Sequence, residues 1–180
     1  SHQLRDKALK AIDETDFYPS KGKERLKSMI ETRPDWCVSR QRVWGVPLPI
    51  FVSKNTKDVL IDDEVFENIA NIYEKEGSDC WFGDDVQRFL GKNYKAEDYE
   101  KSNDIVEVWF DSGSTHSFVL EKRDDLKWPA SMYLEGSDQH RGWFHSSLLE
   151  SCGTRGRAPF ESILSHGFVV DGKGLKMSKS

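Results

Sequence analysis

The second half of the sequence alternates between two hydrophobic patterns, and this alternation constrains the fold more than any other feature. Apolar runs typical of strands occur at Ile105–Phe110, Met132–Leu134 and Ile163–Val170. Helical spacing lies between them, at Ser114–Lys122 and Ser137–Cys152. Strands that alternate with helices favour a parallel sheet with crossover helices. We therefore predict an α/β fold in which residues 104–180 form the second half of a doubly wound, Rossmann-like parallel sheet.

Two further segments are predicted before this half-sheet, at residues 1–54 and 55–103. The first shows helical spacing at Leu4–Ile12 and Lys23–Thr32, a break at Pro34, and a strand at Leu48–Val52. The second predicts a turn at residues 55–58 and then a helix that Asp62 or Asp63 caps. The predicted inner face of that helix consists of Val65, Phe66, Ile69 and Ile72. We expect residues 55–103 to form a small inserted α+β subdomain.

Composition excludes several classes of protein. The 180 residues are 37% hydrophobic and 32% charged, which is enough to bury a core. No run approaches the roughly 18 apolar residues of a membrane span, and the polar N-terminus does not resemble a secretory signal. The net charge of −5 argues against a general nucleic-acid coat. Three widely spaced cysteines fit reduced thiols, so we expect a cytoplasmic protein without a membrane partner.

Open parallel sheets bind ligands just past the carboxyl ends of their strands. This rule selects Asp111–Ser114, Glu135–Asp138 and the chain beyond Val170. In the second of these places, Gly136 would let a ligand approach the backbone, and Asp138 could accept hydrogen bonds from a ribose diol. Asp138 could equally cap the helix that follows. Glu135, directly after an apolar strand, could pair with the ammonium group of a substrate.

Two tryptophans can be interpreted in two ways. Trp143 belongs to an aromatic and apolar stripe with Phe144 and Leu148, and such a stripe is more often core than pocket. Trp109 is placed by the pattern near the end of a strand, where it could close a core or wall an apolar pocket.

The last residues combine glycine with lysine. A turn at Asp171–Gly174 precedes Lys176 and Lys179, which could place mobile positive charge on a polyphosphate. By composition alone, a solvated surface loop is the alternative. The histidines show no metal-ligand spacing, so we predict no metal site in this chain; the four concerned are His116, His140, His145 and His166.

Several strings resemble the class I aminoacyl-tRNA synthetases. Residues 33–47, from Arg33-Pro34 to Val46-Pro47, resemble the segment by which isoleucyl, valyl and leucyl enzymes return to the catalytic domain from their editing insertion. Residues 108–114 and 133–144 resemble the isoleucyl branch, and Lys176-Met177-Ser178-Lys179-Ser180 matches the second signature of the class. The resemblance covers nearly the whole chain and is weakest between residues 56 and 103.

The resemblance implies a role for each matching position. Glu135 would hold the amino group of the aminoacyl adenylate, while Gly136, Asp138 and Gln139 would line the adenylate and its ribose. Trp109 and Trp143 would wall the isoleucine side-chain pocket, which reverses the interpretation of Trp143 as core. The adenine would lie near His166, Gly167 and the backbone at Val169. Lys179, with Lys176, would stabilise the charge of the polyphosphate.

The implied reaction is attack of the L-isoleucine carboxylate on the α-phosphate of ATP, which is bound with Mg²⁺, followed by acyl transfer to tRNA(Ile). Positioning and charge stabilisation suffice for such a reaction, so no protein nucleophile is needed. An apolar pocket separates isoleucine from valine by only ~150-fold, so the resemblance also implies an editing site elsewhere. It further implies a monomeric parent enzyme and, in part of the family, zinc in a C-terminal segment.

The first class signature, His-Ile-Gly-His, has no counterpart in this sequence. We therefore expect the isolated chain to be an inactive part of a larger enzyme. Three rivals remain open: a valyl or leucyl enzyme, a non-catalytic fragment that binds RNA or protein, and a plain structural α/β domain.

Overall fold

The structure is a computed structural model and describes residues 2–177. Its chain divides into two compact units: the chain up to Trp36 joins the chain from Val108 onward in the first, and Cys37–Glu107 forms the second. These boundaries differ from those of the three predicted segments, which are 1–54, 55–103 and 104–180. The division into those segments stays a prediction. None of the described helices is long and apolar enough to cross a membrane.

The helices and strands follow one another along the chain in this order: α1 (His2–Asp13), β1 (Asp16–Tyr18), α2 (Lys21–Glu31), β2 (Ser39–Arg40), β3 (Phe51–Ser53), α3 (Asp63–Glu76), α4 (Gln87–Leu90), β4 (Tyr99–Lys101), β5 (Ile105–Val106), α5 (Val108–Gly113), β6 (Tyr133–Gly136), α6 (Trp143–Thr154) and β7 (Ser162–His166). Short 3₁₀ turns lie at Ser78–Phe82, Ala96–Asp98 and Ser137–Arg141, and a π turn lies at His116–Leu120.

The first unit contains a parallel sheet of three strands in the order β1-β7-β6. Ile163 of the central strand β7 lies opposite Phe17 on one side and Tyr133 on the other. A parallel sheet with helices is what the sequence predicts for this region, and that prediction is confirmed. The sequence did not predict β1, because three residues are too short for a period-2 pattern to be recognised.

Helices α1, α2 and α6 supply most of the core of the first unit. Their inward positions recur at helical spacing, and the side chains that are at most 1% exposed include Ala8, Ile12, Leu26, Ile30, Phe144 and Leu148. Burial of each larger apolar side chain stabilises the fold by about 1.5–3 kcal/mol. The predicted helices at Leu4–Ile12 and Lys23–Thr32 are confirmed.

The second unit is built around Trp81, which is 0% exposed. Strands β3 and β4 pair antiparallel, as do β2 and β5. Helix α3 begins where the sequence predicts, and Asp62 caps it by accepting a hydrogen bond from the Val65 backbone N–H at 3.1 Å. The predicted inner face is wrong at Phe66, which is 39% exposed because it lies at the margin of the apolar stripe.

Four predicted elements need correction. The run Ile105–Phe110 is a strand only to Val106, where it pairs antiparallel in the second unit, and its remainder becomes helix α5. Packing of α5 on α6 overrides the strand propensity of Val108, Trp109 and Phe110. Strand β7 ends at His166 rather than Val170.

The third correction concerns the predicted helix Ser137–Cys152. It is divided at Gly142 into a 3₁₀ turn and α6. Of the strand predicted at Leu48–Val52, only the last two residues belong to β3.

Candidate functional site

Strands β6 and β7 end side by side, with Gly136 opposite His166. A Cβ placed on Gly136 would lie 2.6 Å from Oδ1 of Asp138 and 3.9 Å from Cε1 of His166. No side chain larger than hydrogen therefore fits this corner without displacing the carboxylate of Asp138. The structure thus brings three of the predicted site residues together at the carboxyl edge of the sheet.

Gln139 connects this corner to helix α6. Its Oε1 accepts a hydrogen bond from the Trp143 backbone N–H at 2.9 Å, and its Nε2 donates to Oδ2 of Asp138 at 3.3 Å. The glutamine caps α6, while Asp138 makes no capping bond and remains exposed. The alternative interpretation of Asp138 as a helix cap is therefore wrong. Its carboxylate stays available to a polar ligand.

The two tryptophans lie at the junction of α5 and α6. Trp143 donates from Nε1 to the Ser112 carbonyl oxygen at 2.9 Å, and its ring stacks on Tyr133 with centroids 4.0 Å apart. Trp109 approaches the same junction, because a Cβ on Gly142 would lie 3.0 Å from its ring. The sequence analysis placed Trp109 near a strand end. It lies instead on helix α5 and is 42% exposed.

Glu135 lies on β6 two residues after Tyr133 and is exposed. Because side chains alternate along a strand, Glu135 and Tyr133 share one face of the sheet. The ring of Trp143 stacks on that same face. The arrangement places a carboxylate and an aromatic wall on one side of the edge strand.

The chain beyond β7 forms a hairpin around the turn predicted at Asp171–Gly174, although the sequence analysis did not predict that its two arms pair. The Met177 backbone N–H donates to the Val169 carbonyl at 2.9 Å, and Val170 pairs with Lys176. Oδ1 of Asp171 closes the turn by accepting two backbone N–H groups, at 2.8 and 2.9 Å. An aspartate directly before a glycine-containing turn is a signal for such a closure.

The remaining predicted site residues lie along this segment. His166 donates from Nδ1 to the Gly167 carbonyl at 2.6 Å, since a carbonyl oxygen can only accept. The Lys176 ammonium lies 3.7 Å from the centroid of the Phe168 ring, and Val169 is 65% exposed. Lys179 lies outside the described residues.

Buried titratable groups surround the junction, and sequence reasoning missed them. Burial lowers the pKa of His145 to about 4, with the charges of Arg33 and Arg141 acting in the same direction. Burial also raises the pKa of Glu150 to about 8, and Asp111 adds to this effect. Polar residues on the inward positions of an otherwise apolar helix are the signal that could have shown them.

Across residues 2–177, His, Cys, Asp and Glu side chains form no group of three or more that could hold a metal ion. The three cysteines are free thiols in this structure. The described residues form a strand-end corner in which Gly136 lies between two exposed carboxylates, those of Glu135 and Asp138. Two tryptophans and the hairpin that carries Lys176 complete the set. Such a set can bind a ligand that has an ammonium group, an apolar part and a hydroxylated or phosphorylated part.

The sequence matches a known family over its whole length. The family model described as tRNA synthetases class I (I, L, M and V) matches residues 1–180. The chain is 84% identical over its full length to an isoleucine--tRNA ligase of Pelagibacter ubique, and 59% identical over 98% of its length to that of Zymomonas mobilis. These matches cover 20% and 19% of the two relatives, so the chain spans about a fifth of their length.

A solved structure shares the fold. It is the ternary complex of Agrobacterium radiobacter K84 agnB2 LeuRS with tRNA and LeuAMS, with a TM-score of 0.53 and 18% identity. The match covers 81% of this chain and 21% of that one. Together with the family match over the whole chain, these findings show that the chain belongs to the class I tRNA synthetases (I, L, M and V).

Proposed function

We propose that this chain is part of the catalytic domain of an isoleucine--tRNA ligase. The whole protein would activate L-isoleucine with ATP to isoleucyl-adenylate and transfer the acyl group to tRNA(Ile). The observation that carries the proposal is the 84% identity over the entire chain to a relative of that name. The strand-end corner at Gly136 supports it, since class I chemistry needs a nucleotide site at the carboxyl edge of a parallel sheet.

At the amino-acid end, Glu135 would pair with the ammonium group of isoleucine, and Trp109 and Trp143 would wall its side chain. Two features support this assignment. Glu135 shares the face of β6 on which Trp143 stacks, and both tryptophans lie at the α5–α6 junction. An apolar wall beside a carboxylate suits a substrate that has an aliphatic side chain and a positive charge.

At the nucleotide end, Gly136, Asp138 and Gln139 would line the adenylate and its ribose. The exposed carboxylate of Asp138 can accept hydrogen bonds from a diol, and Gly136 leaves the backbone open to close approach. His166, Gly167 and the backbone at Val169 would lie near the adenine. Gly136 stands opposite His166 in the sheet, so one ligand could contact both strand ends.

The lysines would act on the phosphates. Lys176 is held by its pairing with Val170 and by the Phe168 ring, while its ammonium remains on an exposed hairpin. Together with Lys179 and the Mg²⁺ that accompanies ATP, it would offset the negative charge that develops during adenylate formation. No residue of the chain is required as a nucleophile, because the substrate carboxylate attacks the α-phosphate.

The remaining assignments follow from the family. Residues 55–103 would be a small insertion within the catalytic domain. Editing, anticodon recognition and zinc binding would belong to other parts of the parent enzyme, which we propose to be a cytoplasmic monomer. An apolar pocket discriminates isoleucine from valine by only ~150-fold, which is why a separate editing site is needed.

Amino-acid-dependent ATP–pyrophosphate exchange tests the proposal directly. The full-length protein should exchange with isoleucine in preference to valine, leucine and methionine, and the 180-residue chain alone should be silent. Preference for valine or leucine would assign the protein to another member of the same family. Exchange of the full-length protein with none of the four amino acids would favour a binding role without catalysis.

A further inference from the structure

Helices α5 and α6 cross at Gly113, which is buried. A Cβ placed on Gly113 would overlap the Glu150 carboxyl and lie 3.0 Å from the carbonyl carbon of Ser146. A side chain at position 113 would therefore have to displace the Glu150 carboxyl and would meet the backbone of α6 at close range. The Glu150 side chain fills the space where a side chain at position 113 would otherwise stand.

Each of the two crossing helices carries one of the tryptophans. Trp109 and Ser112 are on α5, and Trp143 is on α6, where it donates to the Ser112 carbonyl at 2.9 Å. A shift of α5 relative to α6 would change the separation of the two indole rings. The crossing at Gly113 lies one helical turn from Trp109. A displacement of α5 at Gly113 would therefore also move Trp109.

Glu150 is unusual among the carboxyl groups near this junction. Its Oε1 is shielded from solvent and has no hydrogen-bond partner among the described residues. Burial raises its pKa to about 8, and the carboxylate of Asp111 on α5 adds to the shift. The side chain is therefore mostly protonated at neutral pH, and ionisation would set a second negative charge beside Asp111.

Other charged or titratable groups line the same cavity of about 540 Å³ as Glu150. They come from α1, from the segment after α2, from the π turn and from the end of α6, and they are Arg5, Arg33, Asp35, His116 and Arg155. Arg155 is held by a bidentate pair with Glu121, and Arg5 donates to the Arg33 carbonyl. Oε1 of Glu150 makes no hydrogen bond with any of them and packs against Gly113.

We propose that Glu150 is a positioning residue for amino-acid selection: its carboxyl, packed against Gly113 where α5 crosses α6, sets the separation of Trp109 and Trp143. The inference rests on the proposed function, because it takes these tryptophans as the walls of the isoleucine pocket. Glu150 itself touches no substrate in this arrangement. It acts on selectivity through the two helices.

The first test compares two glycine variants of the full-length protein. Gly113→Ala would displace the Glu150 carboxyl and crowd the α6 backbone at Ser146, whereas Gly153→Ala on α6 is a matched control, since its Cβ would meet only Leu4 Cδ1 at 3.7 Å. We expect Gly113→Ala to raise the KM for isoleucine roughly tenfold in pyrophosphate exchange while the KM for ATP changes little. Gly153→Ala should resemble the wild type. Equal KM values for isoleucine in both variants would overturn the inference.

A double variant and a pH series distinguish a positioning role of Glu150 from a general loss of stability. Adding Glu150→Ala to Gly113→Ala vacates the overlapped space and should restore part of the isoleucine KM. In the wild type, the ratio of kcat/KM for isoleucine to that for valine should fall between pH 7 and pH 9, and Glu150→Gln, which keeps the shape but cannot ionise, should hold that ratio constant. A loss of folded enzyme alone would lower kcat without changing the ratio.

The two hypotheses fail differently. If the wild-type protein activates none of the amino acids, the proposed function is wrong. If it activates isoleucine, but the selectivity ratio is the same in Glu150→Gln and wild type at both pH values and rescue is absent, only the role of Glu150 is wrong.

Discussion

Trp81 in the second unit and Trp143 in the first have similar partners but different surroundings. The Trp81 ring is fully enclosed by Phe51, Phe89 and Tyr73, and its Nε1 donates to the Ser102 carbonyl. Trp143 also donates to a backbone carbonyl and stacks on a tyrosine, yet it stays half-buried. Enclosure on every side leaves an indole only a stabilising role, whereas a partly open indole can also contact a ligand.

The units differ in their buried titratable groups as well. The core of the first contains His145 and borders on Glu150, while the segment 37–107 contains no histidine. Only the first unit therefore couples its packing to histidine protonation. The following predictions test this contrast in order of expected effect.

Trp81→Ala should have the largest effect on stability. Removing a fully enclosed indole leaves a cavity among three aromatic rings and should lower the free energy of unfolding by about 3–5 kcal/mol. Urea denaturation of the 180-residue chain, followed by circular dichroism, measures this loss. Trp44→Ala is the control, because Trp44 is 90% exposed and its removal should change stability by less than about 0.5 kcal/mol. Similar midpoints for both variants would contradict the proposed importance of enclosure.

Acid should weaken the first unit through His145. The ring is 4% exposed, both its nitrogens lack partners among the described residues, and its folded pKa is about 4 against 6.5 unperturbed. Between these values the unfolded chain binds a proton that the folded chain does not, so stability falls as pH decreases from 6.5 to 4. The total loss is about 3 kcal/mol.

His145→Met should remove this part of the pH dependence, while His166→Asn, at an exposed position, should keep it. Denaturation midpoints at pH 7 and pH 4.5 provide the comparison. If the midpoint fell equally between pH 7 and pH 4.5 in the wild type and in His145→Met, the folded protein would accept a proton on this ring without losing stability.

Trp143→Ala tests the open tryptophan in the full-length protein. We expect the KM for isoleucine to rise about tenfold or more in pyrophosphate exchange, with a smaller change for ATP, because the pocket wall contacts the apolar side chain. Trp143→Phe keeps a ring on Tyr133 but loses the hydrogen bond to Ser112 and should be intermediate. Equal losses for both substrates would make Trp143 a structural residue like Trp81.

Asp62→Ala should give the smallest effect and confine it to the second unit. Asp62 accepts the Val65 N–H at the start of α3 and the Tyr94 hydroxyl at 2.6 Å. Loss of this cap should lower stability by about 1 kcal/mol. Asp62→Asn retains an oxygen that can accept the Val65 N–H, so it should lose less stability than Asp62→Ala in the same urea experiment. A larger loss than that of Asp62→Ala would indicate that the hydrogen bond with Tyr94 contributes more than the cap.

Local patterns predicted the elements whose stability is largely local. The spacing of apolar residues found α1, α2 and α3, and the acidic pair at the start of α3, Asp62 and Asp63, includes its cap. The string at Glu135–His140 pointed to a strand end because a glycine and an aspartate follow an apolar run. These features depend on neighbours within a few residues, which is why sequence alone sufficed.

Contacts between distant residues decided the rest. Val108–Phe110 has strand propensity but becomes helical, since Gly113 and Ser112 fit against α6 more than thirty residues later. The burial of Glu150 and the position of Trp109 result from the same crossing. No periodicity in either segment indicates that the two will meet. Roles in binding remain predictions for every site residue, since ligands cannot be read from packing.

The turn closed by Asp171 determines how the hairpin responds to a ligand. Its carboxylate already holds the Lys173 and Leu175 backbone N–H groups, and Gly174 adopts φ +81° without strain. The chain between Val170 and Lys176 would therefore lose little conformational entropy if Lys176 bound an anion, as we propose. In a loop that is already ordered, lost entropy offsets less of the electrostatic attraction than in a flexible loop of the same charge, so the affinity is higher.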